Sequence, residues 1–170
     1  MKFTCALLFS LALAGAIEST SSRPQFGEYP VSEIFAGRPA APELATKEDR
    51  LFRTTIRRGA EQSVEFAGHY TVPRWGCGTA CNGFVIVDSI NGTVFDVPFY
   101  LTELPGAWIE AHSATDQERM EFEPNSRLMK INGCLNERDC GFYDYIMVEG
   151  KGLKLVRKEL LPKQYQPESP

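Results

Sequence analysis

The chain has 170 residues with 18 basic and 22 acidic side chains, which gives a formal net charge of −4. A mildly acidic protein lacks the basic face that displaces counterions from nucleic acid, so the composition argues against nucleic acid as a partner. No run of Lys or Arg exceeds two residues, and a polybasic membrane-binding segment is therefore unsupported as well.

The first residues have the layout of a secretory signal peptide. Lys2 provides the positive end, Phe3–Leu13 form an apolar run, and Ala14-Gly15-Ala16 offers a small-x-small cleavage site. The run is shorter than the roughly 20 apolar residues that span a bilayer. We predict removal of residues 1–16 after Ala16, no transmembrane anchor, and a secreted or periplasmic protein.

The remaining length favours one domain. Residues 17–45 are rich in proline and are expected to be irregular. Residues 46–162 are expected to form the domain, and residues 163–170 a C-terminal tail. Thr46 and Asp49 have the spacing of a capping box, which predicts one helix that begins there and stops near Gly59.

From Phe66 onward the hydrophobic period changes to two, which is typical of strands. Two β-rich runs flank Asn91-Gly92, the dipeptide of type I′ hairpins. A second hairpin is predicted around Gly150–Gly152, and two shorter strands on either side of Pro124-Asn125. About five to seven strands are expected, which predicts an α+β fold with a twisted antiparallel meander sheet and one N-terminal helix.

Four cysteines follow the signal segment, namely Cys77, Cys81, Cys134 and Cys140. An even number in an exported chain predicts two disulfides with three possible connectivities. We favour local pairing, Cys77 with Cys81 and Cys134 with Cys140, because each pair brackets a short turn, while the crossed pairings stay possible. The spacings fit neither a zinc knuckle nor a thioredoxin-like C-x-x-C motif, so we expect no metal and no cofactor.

His69 is the weak candidate for catalysis, since it could approach Ser63, Thr79 or Asp88 and act as a base. A single strand histidine more often serves packing. His112 has a weaker claim. Glu121 and Glu123 alternate on one strand face, as a pair of catalytic carboxylates would, but solvated strands give the same pattern.

Binding is the other chemistry that the sequence suggests. The loop between Cys134 and Cys140 is charged and closed at its neck, and rigid loops on a sheet often carry binding residues. Four candidate contact residues lie in or near the two cysteine loops: Arg74, Trp75, Asn82 and Arg138. Four large aromatic residues could form an anchor surface or fill the core: Trp75, Trp108, Tyr143 and Tyr145.

The segment from Leu51 to about Phe99 resembles a pattern of small exported bacterial proteins of uncharacterised function. The residues that carry this resemblance are Phe66-Ala67-Gly68-His69-Tyr70 and Trp75-Gly76-Cys77-Gly78-Thr79-Ala80-Cys81. The resemblance implies a bacterial envelope or extracellular setting. It brings no catalytic or binding role to any position, and it makes the glycosylation sequon at Asn91 less relevant.

The sequence thus predicts a non-enzymatic binding module, inhibitor-like or envelope-associated, whose partner is a protein or another envelope component. The alternative is a small hydrolase of envelope polymers that uses His69. A purely structural surface protein is a third class.

Overall fold

The computed structural model describes residues 22–114 and 118–168. The predicted signal peptide and its cleavage site lie outside the described residues. Within them, the helices are α1 (Lys47–Leu51), α2 (Arg53–Ala60) and α3 (Gly106–His112). The strands are β1 (Tyr70–Thr71), β2 (Arg74–Gly78), β3 (Cys81–Asp88), β4 (Val94–Asp96), β5 (Leu101–Thr102), β6 (Met120–Phe122), β7 (Leu128–Leu135), β8 (Asp139–Val148) and β9 (Gly152–Leu160).

All nine described strands join one antiparallel sheet, so the predicted antiparallel sheet is confirmed, while the expected five to seven strands and single helix are too few. β1 and β2 pair with one edge of β3, and β4 and β5 pair with the other edge. β5 also pairs with β7, whose other neighbours are β6 and β8. β9 pairs with β8 and is the last strand of the sheet. Consecutive strands neighbour one another as a meander only in β2–β3–β4 and β6–β7–β8–β9; β5 instead bridges β3 and β7.

The sheet is strongly curled. Arg74 of β2 lies over the ring of Phe122 in β6 at 5.2 Å, although these two strands are not neighbours. Phe66, just before β1, packs against the same ring. Such contacts require the sheet to bend so that its two sides approach each other across one face. That inner face holds the main core, which includes Tyr70, Ile86, Leu101, Met129, Ile131, Tyr143 and Met147.

Two smaller apolar clusters cover the outer face. α2 buries Ile56 and Ala60 against Val85 and Val87 of β3. α3 buries Trp108 beside the Cys134–Cys140 pair and Leu161, the residue after β9. Alternation along β3 explains the cluster under α2, because Val85 and Val87 point to the face opposite Phe84 and Ile86.

The predicted single helix is two helices. Thr46 and Asp49 form the expected capping box, in which each side chain accepts from the other residue's backbone N–H. The backbone turns at Phe52, and its ring stacks on Trp75 with the centroids 4.2 Å apart. Tertiary stacking thus breaks a helix that local sequence would continue. α2 ends at Ala60, next to Gly59, where the helix was predicted to stop.

The Asn91-Gly92 hairpin connects β3 to β4, but its turn is not type I′. Gly92 has a positive φ of 84° and Asn91 does not, whereas a type I′ turn needs both. The Asp88 carboxylate organises the turn by accepting from the Ile90 amide at 2.8 Å and from the Asn91 side chain at 3.0 Å. The second hairpin, between β8 and β9, turns over Glu149–Lys151 as expected.

Both terminal segments are tied to the sheet. Between residues 31 and 43, backbone N–H groups donate to the carbonyls of Asn125, Gly68, Ser89 and Gly92. At the other end, the Gln166 side chain donates to the carbonyls of Cys140 and Leu161 and accepts from the Cys140 amide. Residues 163–168, which the sequence places in a tail, therefore contact the domain.

The Phe66–Tyr70 motif is a tight turn that joins three parts of the chain. Ala67 and Gly68 have φ values of 46° and 85°, and Phe66 and Tyr70 bond to each other across the turn. The Gly68 carbonyl accepts from Phe35, and the Gly68 amide donates to Pro124, both at 2.7 Å. The Phe66–Tyr70 motif therefore has a structural role, since its turn joins the N-terminal segment to the chain near Pro124.

We expect Gly68→Ala to lower the free energy of unfolding by about 1–3 kcal/mol, because a left-handed φ is strained for alanine. An added Cβ would also lie 2.8 Å from the Glu33 carbonyl oxygen. Denaturant titration measures the change. Gly27→Ala is the matched control, since nothing lies within 4 Å of its added Cβ. Equal decreases in the free energy of unfolding of both variants would contradict strain and crowding at Gly68 as the cause.

Candidate functional site

Both disulfides have the favoured local pairing, Cys77 with Cys81 and Cys134 with Cys140. They lie on one row across the sheet, because Cys81 is opposite Thr102, Thr102 is opposite Cys134, and Cys134 is opposite Cys140. Directly opposed residues of a ladder share one face. The two bridges therefore lie near each other at one end of the sheet, which we call the stapled end.

At this end the Cys134–Cys140 loop is hydrogen-bonded to Tyr100, which lies just before β5. Asn136 and Glu137 have φ values of 52° and 56°, so the loop between β7 and β8 is a compact turn. The Asn136 amide donates to the Tyr100 carbonyl at 3.0 Å, and the Tyr100 amide donates to the Asn136 side chain at 3.1 Å. This reciprocal pair fixes the Cys134–Cys140 loop against the chain that enters β5.

A pocket of about 360 Å³ opens at the stapled end. Aromatic and apolar side chains dominate its lining, with Glu48 and Asn136 as polar members and Cys77 at one side. The other lining residues are Phe52, Trp75, Gly83, Phe84, Val97, Pro98, Phe99 and Tyr100. Polar and apolar atoms contribute about equally to its exposed lining, and a concavity that places a few polar groups among apolar side chains is a common form of small-ligand or side-chain binding site.

Trp75 forms part of the pocket and also part of the fold. One side of its indole stacks on Phe52 with an angle of 16° between the ring planes. Another part lies over Gly83, where an added Cβ would be 2.5 Å from the indole nitrogen. Because these neighbours engage the ring, Trp75 offers a partner only the part that they leave uncovered. Tyr100, 37% exposed, is the more accessible aromatic group.

The other three predicted contact residues do not line this pocket. Arg74 is paired with Glu65 at 3.0 Å and lies over Phe122 on the inner side. Asn82 is half-buried in β3, between Gly76 and Leu101 of the neighbouring strands. Arg138 is exposed in the turn between β7 and β8, beside Asn136. The structure thus brings Trp75 and the Arg138 loop to the same end, and it places Arg74 elsewhere.

Three of the four predicted aromatic anchors are core residues. Trp108, Tyr143 and Tyr145 are all buried. Tyr143 belongs to the inner core and donates from its hydroxyl to the Asp139 carbonyl at 2.5 Å. The aromatic residues that do reach the pocket surface, Phe99 and Tyr100, follow Pro98 in a segment that the sequence analysis did not single out. A Pro-Phe-Tyr run between two strands is the signal that could have found them.

His69 lies at the opposite end of the sheet, since it is next to Asp88 at the far end of β3. Its Nε2 is 3.8 Å from the Asp88 Oδ2. It lines a pocket of about 440 Å³ with Glu33, Arg127 and Glu149 among the charged members. Ser63 and Thr79 do not line this pocket, and Thr79 is a full strand length away. Asp88 is therefore the partner that the structure gives to His69.

The remaining predicted groups have structural partners. His112 ends α3, where its ring stacks on Trp108 and its Nδ1 lies 2.9 Å from the Trp108 carbonyl. Glu121 accepts from the Asn132 side chain at 3.1 Å. Glu123 is half-buried next to the Phe66–Tyr70 turn, where its carbonyl accepts from Ala67. Within residues 22–114 and 118–168, no cluster of three His, Cys, Asp or Glu residues is arranged to hold a metal ion.

Sequence reasoning missed an ionic cluster on the outer face. The fully buried Asp144 of β8 accepts from Arg23 at 2.6 Å and lies 3.4 Å from Arg157 of β9. Arg23 also donates to the Asn132 side chain at 2.7 Å. Buried carboxylates need such partners. The apparently irregular N-terminal segment thus supplies a counterion to the sheet.

Comparison of the chain with protein-family models, with curated proteins and with solved structures gives no match. None of the helices in the described part of the chain is long and apolar enough to cross a membrane. The class that the fold and site define is an α+β protein with a disulfide-stapled antiparallel sheet. Two disulfides are typical of proteins that fold in an oxidising, exported setting.

Tyr70 provides a test of the core beside His69. The side chain is 1% exposed, and its hydroxyl has no hydrogen-bond partner among the described residues. Burial, with Asp88 and Glu149 nearby, raises the pKa of Tyr70 to about 12 from 10.0. The folded state therefore keeps a proton that the unfolded state loses above pH 10. The stability that this contributes is present below pH 10 and is lost as the pH rises towards 12.

We expect Tyr70→Phe to leave the free energy of unfolding at pH 7 within roughly 1 kcal/mol or to raise it, because an unpartnered buried hydroxyl is removed. The variant should also lose less stability between pH 9 and pH 11 than the parent protein. Tyr143→Phe is the contrast, since it deletes a hydrogen bond and should destabilise by about 1 kcal/mol at pH 7. Denaturant titrations at each pH distinguish the two.

Proposed function

We propose that the protein is a binding module whose stapled end captures a protein or another component of the bacterial envelope. The observation that supports this most is the meeting of two disulfide-closed loops at one aromatic-walled pocket. Tyr100, Phe99 and Phe52 supply the apolar contact area there, and Glu48 with Asn136 supplies polar contacts. The envelope setting comes from the resemblance and from the predicted signal peptide.

Rigidity is the physical advantage of this end. A loop that is already ordered loses little conformational entropy when a partner binds, so more of the contact energy appears as affinity. The Cys134–Cys140 bridge and the Asn136–Tyr100 pair both restrict the loop before binding. Arg138 is exposed two residues from Asn136, outside the pocket lining, and a charge at the edge of an interface affects the association rate more than the affinity.

We expect Tyr100→Ala to weaken capture of the partner by roughly tenfold or more, because aromatic anchors in pockets dominate binding energy. Arg138→Ala should have a smaller effect that fades at high salt. Pull-down of labelled envelope extract by the oxidised domain, followed by titration of the captured component, measures both. Circular dichroism checks that each variant is folded.

Leu155→Ala and Lys154→Ala are the matched controls, because both residues are exposed on β9 and line neither pocket. They should capture the partner as the parent protein does. Equal capture by Tyr100→Ala and Leu155→Ala would remove the stapled end from the proposal. Trp75 is unsuitable as the first test, since its loss would also disturb the packing of α1 and α2.

A second candidate function, hydrolysis of an envelope polymer, is favoured by the pocket that His69 shares with charged side chains. Asp88 could orient the imidazole, and an oriented histidine is the usual general base. Both Asp88 oxygens already accept from Ile90 and Asn91, and 3.8 Å exceeds hydrogen-bond distance. These facts support the binding module more than the hydrolase.

His69→Ala distinguishes the two candidates. The binding module predicts unchanged capture of the partner by His69→Ala, because His69 lies at the other end of the sheet. The hydrolase predicts that parent protein and the control His112→Ala alter an envelope polymer such as peptidoglycan, while His69→Ala does not. Chromatography of polymer digests is the measurement. Release of fragments by the parent protein and by His112→Ala, but not by His69→Ala, would favour the hydrolase.

A further inference from the structure

The two disulfides differ sharply in their access to solvent. Cys134 and Cys140 are 5% and 0% exposed, and the C-terminal segment covers them through Gln166. Cys77 is exposed, as are its neighbours Gly76, Gly78 and Thr79, while its partner Cys81 is 7% exposed. Thiol–disulfide exchange requires an incoming thiolate to reach a sulfur atom, so access selects which bond reacts and which sulfur is attacked.

Cys77 also lies at an irregularity of its strand. The register of β2 with β3 passes from Gly76 opposite Asn82 to Gly78 opposite Cys81, which leaves Cys77 outside the ladder. β2 pairs only with β3 among the described strands, so its other edge is open. Bulges of this kind place a side chain away from regular pairing and are common beside functional sites. Cys81, in contrast, is held by pairing on both sides of β3.

Opening the bond need not unfold the hairpin. Arg74 and Trp75 still pair with Phe84 and Gly83 on the same two strands. At the turn, Arg119 donates to the Ala80 carbonyl at 2.7 Å from a different part of the chain. Trp75 stays stacked on Phe52. These contacts hold the loop when the cysteines are no longer joined.

We propose that Cys77 is a site of reversible modification by small-molecule thiols. The incoming thiolate forms a bond to the Cys77 sulfur, the bond between Cys77 and Cys81 breaks, and Cys81 leaves as a thiolate that takes a proton from water. A second thiol that attacks the adduct forms a small-molecule disulfide and releases the reduced Cys77. Protein disulfide is reduced as two thiols are oxidised, so the electrons balance.

The position of Cys77 favours a small thiol over a bulky one and explains why the adduct reverses. Cys77 is part of the lining of the pocket of about 360 Å³ at the stapled end, which has room for a small group. Pairing of β2 with β3 keeps Cys81 next to Cys77, so the Cys81 thiolate can attack the Cys77 sulfur of the adduct, expel the small thiol and restore the bridge. The exchange needs no partner in the pocket, and a partner bound there would cover Cys77 and slow it.

The test exposes the oxidised parent protein to reduced glutathione and quenches the mixture at intervals with acid and N-ethylmaleimide. Peptide mapping by mass spectrometry then locates the glutathione and the alkylated cysteines. We expect glutathione on Cys77 and opening of Cys77–Cys81 at least about tenfold faster than opening of Cys134–Cys140, since Cys77 is exposed whereas Cys134 and Cys140 are buried. Equal rates, an adduct mainly on Cys81, or reaction at neither bridge would overturn the proposal.

Two single variants test the same contrast without an exchange step. Cys81→Ser leaves a free thiol at Cys77, and Cys77→Ser leaves one at Cys81. Iodoacetamide should alkylate the first thiol at least about tenfold faster under native conditions, because accessible thiols react faster than buried ones. Circular dichroism identifies a variant that does not fold, in which case the parent protein's exchange pattern decides. Similar alkylation rates in two folded variants would contradict the proposal.

Discussion

The hydrogen bonding of β3 along both of its edges is the constraint on which the rest of the structure depends. Every other strand from Tyr70 to Thr102 pairs with β3, and β5 then connects it to the longer strands β7, β8 and β9. The partners of β3 have two to five residues each. Strands this short are not stable alone, so they hold their positions because β3 is buried between α2 and the inner core.

The same strand sets the distance between the two candidate sites. Cys81 begins β3 at the stapled end, and Asp88 ends it beside His69. Eight residues of extended chain separate the two ends by about 25 Å. A ligand at one pocket therefore does not contact the other, and effects of one site on the other would have to pass through the packed sheet.

Local signals predicted the features that depend on residues close in sequence. The Thr46–Asp49 capping box, the Gly150–Gly152 turn and the two local disulfides follow from short spacings. Features that depend on distant residues were wrong or missed. Phe52 breaks the helix because Trp75 lies against it, and Arg23 meets Asp144 from far along the chain. The turn after β3 is a local feature that was missed, since Asp88 accepts hydrogen bonds from Ile90 and Asn91 in place of a type I′ turn.

The candidate site shows the same division. Two stapled loops could be recognised from their cysteines, but their meeting at one pocket depends on β5, a strand of two residues that no periodicity reveals. The predicted residue Arg74 faces the inner side because alternation along β2 puts it opposite to Trp75. Arg74 and Trp75 were both predicted as contact residues, but as neighbours on one strand they cannot face the same partner. The loops that carry Trp75 and Arg138 do lie at the same end of the sheet, as predicted.

The balance between binding and catalysis follows from how the polar groups are used. At the His69 end, the Asp88 carboxylate already serves the turn after β3, and the Tyr70 hydroxyl beside it makes no bond within the described residues. Catalytic groups are usually held by reciprocal hydrogen bonds. At the stapled end, Asn136 and Tyr100 have that reciprocal support, and Tyr100 presents an aromatic ring there. Preorganised aromatic surface without a matching acid and base supports recognition of a partner more than chemistry on it.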